Sequence, residues 1–286
     1  MKISTIVSCL LAAPVAYGAV IKRGPCHENN LFRALKRVQR DSDPAFCSNF
    51  LFDDNTPYPP NERNVPVTTP KADVTNACRC LLGDSLGFEV AIYENPYEGQ
   101  GSGAEYLEFE HWYVATKEPW GTSVAKFLGS GQANEPGEDE PWRYGLPTLD
   151  GLYYTLNLRG YFLCPADGTF TITFHQADDV AYVWVGEEAK CGWTNPVLTP
   201  GTTMRSYWTL FENTLDFTCT KGAFTPLRII WADIAGPRSL FMDIKDASGN
   251  LYVQNTVDSP FLFRHSATNS VGPFPGTFGN EPTVCA

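Results

Sequence analysis

From residue 150 onward, apolar and polar positions alternate in short runs closed by glycine, proline or aspartate. YYTLNLRGYFLC (153–164) and TFTITFHQ (169–176) read as two strands around the tight turn Pro165-Ala166-Asp167-Gly168, the sign of a hairpin. VAYVWVG (180–186) and LRIIWAD (227–233) are further strands. SLFMDIKDASGNLYV (239–253) carries its own turn near Ser248-Gly249. Upstream, FEVAIYENPY (88–97) is a strand that ends at Asn95-Pro96, because proline lacks the N–H a sheet needs. Short strands at this spacing predict an all-β chain with an antiparallel β-sandwich over residues 86–286.

The N-terminal part has a different pattern. In NNLFRALKRVQ, Leu31, Ala34, Leu35 and Val38 fall at i, i+3, i+4 and i+7, one face of a short helix capped by Asn29 or Asn30. DDNTPYPPNERNVPVTTPK (53–71) contains five prolines, which predicts a linker or an extended wrap. Residues 20–85 therefore read as a small helical, cysteine-bearing leader with a proline-rich linker. Residues 1–19 have an early lysine, an apolar run from Ile6 to Val15 and small residues near Ala16–Ala19, the plan of a secretory signal peptide. That run is too short to span a bilayer. Lys22-Arg23 looks like a dibasic processing site.

Composition adds to this. The formal net charge of −11 disfavours nucleic acid and anionic membranes as partners. Cys9 leaves with the signal, and an even set of cysteines in a secreted chain predicts disulfides. Cys78 and Cys80 form a CxC, which does not match zinc-finger spacing. Connectivity stays open in the sequence: Cys191 with Cys219, Cys164 with Cys285, and the leader cysteines among themselves are candidate pairings. The C-terminal PTVCA has no hydrophobic tail of the kind a lipid anchor requires, and no serine/threonine-rich stalk precedes it. The expectation is a secreted, extracellular monomer, held to a cell wall non-covalently if at all. The acidic QANEPGEDEP (132–141) reads as a solvated loop.

Two places could carry chemistry. In HQADDVAYVWVG (175–186), Asp178 and Asp179 precede a strand directly. Successive side chains of an extended chain point to opposite faces, so both can grip one ion only if the backbone leaves the strand path. A cis peptide would do this at about 3–4 kcal/mol, offset by a bound divalent cation. An ordinary polar turn is the alternative. In IIWADIAGPRSLF, Asp233 ends a strand, and the carbonyls of the following turn could complete an oxygen cage of the kind calcium takes. No GxSxG, HExxH or Walker loop is visible, and two adjacent aspartates cannot flank a glycosidic bond, so no catalytic residues and no enzyme are expected.

GYFLCPADGTFTITFHQADDVAYVWVGEEA and PLRIIWADIAGPRSLFMDI resemble the GLEYA family of fungal adhesin domains, which is akin to flocculin-type lectins and more remotely to protective-antigen-type modules. The resemblance covers residues 86–262 and is most specific over 158–189 and 226–250. It implies a cis-linked Asp178–Asp179 pair chelating calcium, joined by the Asp233 side chain and the carbonyls of Ala235 and Pro237. The ion would bind two hydroxyls of a terminal sugar on a cell-surface or host glycan. Aspartate stands at 233 where the family usually has asparagine, and Pro237 and Arg238 replace an aromatic and a glycine. Sugar selection would then fall to Arg238, Gly236 and a stacking Trp193 or Trp208. Trp184, alternating with Tyr182 in a strand, reads as core, and His175 as structural.

Overall fold

The computed structural model describes residues 30–41, 46–47, 50, 69–82, 85–96, 109–133, 144–146, 153–194, 198–208, 210, 212–234, 238–265 and 272–282. The signal segment, Lys22-Arg23, residues 53–68 of the linker and residues 134–141 of the acidic loop lie outside the described residues.

Two helices come first, α1 (Asn30–Asp41) and α2 (Lys71–Leu82). The first follows the sequence pattern, with Ala34, Leu35 and Val38 buried. The second was hidden by the prolines before it. Pro70 immediately precedes the helix, a position where its missing N–H is harmless. Val74, Ala77, Cys78, Leu81 and Leu82 then repeat the helical spacing and are buried.

The strands follow as β1 (Phe88–Glu94), β2 (Gly121–Ala125), β3 (Gly131–Ala133), β4 (Tyr154–Leu163), β5 (Gly168–Asp178) and β6 (Val180–Val185). Then come β7 (Thr203–Tyr207), β8 (Asn213–Cys219), β9 (Phe224–Ala232), β10 (Arg238–Asp246), β11 (Leu251–Gln254) and β12 (Leu262–Phe263). Among the described residues they form two antiparallel sheets. The larger runs β2-β1-β4-β9-β6-β7, with β12 on β4; the smaller runs β11-β10-β5-β8, with β3 on β10. The fold is an antiparallel β-sandwich with a small cysteine-bearing helical leader.

The Asp-Gly turn does not make a hairpin. β4 enters the large sheet and β5 the small one, so the turn passes the chain from one layer to the other. By contrast, β10 and β11 pair directly, as their shared turn predicts.

The core lies between the sheets and contains Val90, Ile92, Leu156, Leu158, Phe162, Phe170, Ile172, Phe174, Leu240 and Met242. The outer face of the large sheet is covered as well. Tyr93, Tyr182, Trp184 and Ile230 join Phe109, Val114 and the helical Leu35, Val38, Val74 and Leu82 in a second apolar cluster. For this reason β4 and β6 are buried at every position, whereas β8 alternates buried and open. Gly160 marks a close approach within the large sheet. A Cβ there would lie 2.5 Å from Phe88 Cδ1 and 2.6 Å from the Phe263 carbonyl oxygen.

Cys164 bonds to Cys219, which corrects both candidate pairings that used these cysteines. Cys164 follows β4 and Cys219 ends β8, so the bridge ties the two sheets. Cys47 bonds to Cys78 within the leader. Cys80 and Cys191 are also disulfide-bonded.

Candidate cation and ligand site

Asp178 and Asp179 form the corner between the two sheets, Asp178 closing β5 and Val180 opening β6. The peptide between them is cis. A bulge in β5 prepares this corner. β10 pairs Met242 with Phe174 and Phe241 with Gln176, leaving His175 as the extra residue. The extra residue changes the strand's phase, so Ala177 faces the core and Asp178 does not.

Backbone bonds hold the pair from several sides. The Trp231 indole N–H donates to the Asp178 carbonyl at 3.0 Å. The Asp179 N–H donates to Ala232 at 3.3 Å, and the Trp208 N–H donates to the Asp179 carbonyl at 3.0 Å. The Ile234 N–H donates to Asp179 Oδ2 at 2.5 Å. The Asp179 side chain therefore draws in the chain just beyond Asp233.

The two carboxyl groups interact directly. Burial, then the charge of Asp179 and a hydrogen bond with it, push the Asp178 carboxyl up to about 7. A buried and a half-buried carboxylate that resist joint ionisation are an electrostatic invitation to a cation.

Asp233 is fully buried at the end of β9. Its N–H donates to Tyr154 at 3.0 Å, and its carbonyl accepts from Asn95 Nδ2 at 2.7 Å. Its carboxylate faces Arg238 Nη1 at 3.3 Å. Among the described residues, no group of three or more His, Cys, Asp or Glu side chains is gathered for a metal ion. The structure thus joins Asp178 to Asp179 but turns the Asp233 side chain toward Arg238. The chemistry of the two paired carboxylates fits a hard divalent cation, and a third carboxylate lies one backbone step away. Ala235, Gly236 and Pro237 lie outside the described residues.

The expected sugar contacts separate. Arg238 is 4% exposed, with its guanidinium 5.5 Å from the Tyr154 ring centre, so it serves the interior instead of the rim. Trp193 is fully buried beneath the Arg228 guanidinium at 4.2 Å, which removes it as a surface platform. Trp208 is 46% exposed, and its own backbone N–H reaches Asp179. Leu210, two residues on, is also exposed. Trp184 is core, stacked on Tyr182 with ring centres 5.6 Å apart.

His175 is more than a filler. Its Nδ1 meets Glu212 Oε1 at 2.7 Å and its Nε2 meets Asp243 Oδ2 at 2.6 Å. Neither carboxylate was visible as a partner in sequence, because each comes from a different element. A separate cleft of about 620 Å³, lined by Glu118, Thr122, Arg159, Arg264 and Phe278 among others, includes none of the expected site residues.

Residues 154–246 match the model of the GLEYA domain. The epithelial adhesin 6 A domain of Candida glabrata, solved with Galβ1-3GlcNAc, shares 19% identity at a TM-score of 0.50, covering 68% of this chain and 94% of that one. The epithelial adhesin 9 A domain of Candida glabrata, also solved with Galβ1-3GlcNAc, shares 17% identity at a TM-score of 0.45, covering 62% and 93%. A PA14 sugar-binding domain from an RTX adhesin shares 16% identity at a TM-score of 0.41, covering 61% and 97%. No curated protein matches the chain. The matched stretch, residues 154–246, carries Asp178, Asp179 and Asp233 and is similar to the GLEYA domain.

Proposed function

We propose that this chain is a secreted, non-catalytic carbohydrate-binding protein that uses calcium at the Asp178–Asp179 corner. The observation that carries the proposal is the facing carboxyl pair, with Asp178 pushed up to about 7 by burial and by Asp179. The adhesin 6 domain, solved with Galβ1-3GlcNAc, supports a glycan as the ligand class. Calcium, when bound, supplies open coordination positions for sugar hydroxyl oxygens.

The protein's own residues have distinct parts in this reading. Asp178 and Asp179 provide the negative charge. Asp233 becomes a third oxygen donor when its carboxylate leaves Arg238, and the carbonyls of Ala235 and Pro237 complete the cage. Gly236 is a sugar-contacting residue in this reading. Trp208 offers an apolar ring to one face of the sugar. A shallow site of this type binds single sugars weakly, and repeated presentation raises avidity.

The test is a glycan array read with calcium and with chelator, beside calorimetry on Asp179→Ala. Chelator-sensitive glycan binding that Asp179→Ala abolishes, together with lost calcium affinity, is the expected result. Unchanged calcium affinity in Asp179→Ala would overturn the site. The inward turn of Arg238 favours one second reading, a secreted structural or effector protein in which calcium only locks the loops. That reading predicts a chelator-sensitive melting temperature with no glycan bound.

A further inference from the structure

The strand that carries the aspartate corner also carries His175, and this residue reaches out of its own sheet. Its position as the extra residue of the β5 bulge puts His175 and Gln176 in succession on the outer side of the small sheet. There the imidazole lies between Asp243 of β10 and Glu212 of the β7–β8 connection. That connection is short, running from Tyr207 to Asn213, and bears Trp208 and Leu210. Glu212 has a positive φ of 56°, a backbone state that is unfavourable for a non-glycine residue and is held by its surroundings.

We infer that His175 is a positioning residue, tying the β7–β8 connection to the small sheet through Glu212 so that Trp208 stays beside the Asp178–Asp179 corner. The inference deepens the carbohydrate-binding reading, on which only its consequence for ligand affinity rests.

The bridge works best with a charged imidazole, since both ring nitrogens then donate, one to each carboxylate. Burial opposes the charge on His175, but hydrogen bonds and charge from Glu212 and Asp243 outweigh it and raise the pKa above the usual histidine value. Other charged groups sit on the packed elements. Asp216 of β8 accepts from Thr171 Oγ1 at 2.7 Å. Arg205 of β7 lies 5.9 Å from the Tyr207 ring centre and hydrogen-bonds Tyr182. Lys245 lies two residues past Asp243 on β10, and Asp178 ends β5 three residues past His175. Loss of the imidazole proton therefore leaves Glu212 and Asp243 as two carboxylates competing for one remaining donor.

The experiment is amide hydrogen exchange on residues 207–213 of the full protein, free of calcium and glycan, between pH 6 and 9 and corrected for intrinsic rates. Wild type should protect the Trp208 and Leu210 amides at low pH and lose protection as His175 deprotonates. His175→Gln should remove the pH step and speed exchange by up to about tenfold, the scale of a lost charge-assisted hydrogen bond at a partly exposed site. Glu212→Gln, at an exposed position that spares the sheet, should do the same. Unchanged protection and pH dependence in Glu212→Gln would overturn the inference. Because no sugar is present, a failed glycan array leaves this result intact. If glycan binding is found, Glu212→Gln should weaken it without changing calcium affinity; equal weakening of both would also count against a role in positioning Trp208.

Discussion

Trp193 and Trp208 come from one loop-rich stretch, yet their surroundings give them opposite tasks. Trp193 is sealed under Arg228, so Trp193→Ala should cost about 3–5 kcal/mol in denaturant unfolding. Trp208 is half open, so Trp208→Ala should change stability by less than about 1 kcal/mol while weakening glycan binding. The sequence held both as equal candidates, because burial of one tryptophan depends on an arginine thirty-five positions away. His175 has a visible signature at this scale too. Its folded pKa lies above the ordinary 6.5. The bridge therefore contributes stability that is fully present below about pH 6.5 and is lost as pH rises through the folded value. Melting temperature should decline across that window, and His175→Gln should flatten the decline.

At the scale of elements, two of the covalent links between the sheets differ in kind. One is the Asp178–Asp179 corner, where β5 passes directly into β6. The other is the Cys164–Cys219 disulfide, which closes a separation of 55 residues. Chain-entropy reasoning assigns a closure of this length about 4 kcal/mol. The double variant Cys164→Ala/Cys219→Ala should lose up to that amount in urea titration, with the transition remaining cooperative. The bulge at His175 is an element-scale device as well. It cannot be read from the alternation of TFTITFHQAD alone, because one extra residue shows only against its partner strand. The same limit explains the hairpin that did not form: the Asp-Gly turn was legible, but not which sheet each arm would join.

Across the whole molecule, residues 272–282 lie over the large sheet and are held by a buried charge network. Glu281 meets Arg228 and Arg159, and Arg228 Nη1 also donates to Asn157 Oδ1 at 2.9 Å. Arg159 donates from Nε to Glu89 at 2.8 Å and lies 4.0 Å from the Phe278 ring centre. Glu281→Ala would leave two buried guanidinium groups without their shared anion. A loss of about 3–5 kcal/mol is expected by denaturant titration. A loss below about 1 kcal/mol would show that the segment is held by its aromatic contacts instead. Nothing in EPTVCA identified Glu281 as a buried ion. Acidic residues are ordinarily exposed, and its partners lie more than fifty residues away.

The sequence by itself determined the all-β class, the position of most strands and the first helix. These follow from local rules: side-chain alternation has a period of two and helical faces a period near 3.6, whereas the cis-linked aspartate pair was implied by the family resemblance, local pattern leaving an ordinary polar turn open. Only the tertiary structure decided which sheet took each strand, how Cys164 and Cys219 pair, and that Trp208 faces solvent while Trp193 does not. It also decided that Asp233 turns to Arg238 and that His175 meets Glu212 and Asp243. Each of these depends on groups brought together from distant parts of the chain, where packing and charge select among partners that local pattern leaves equivalent.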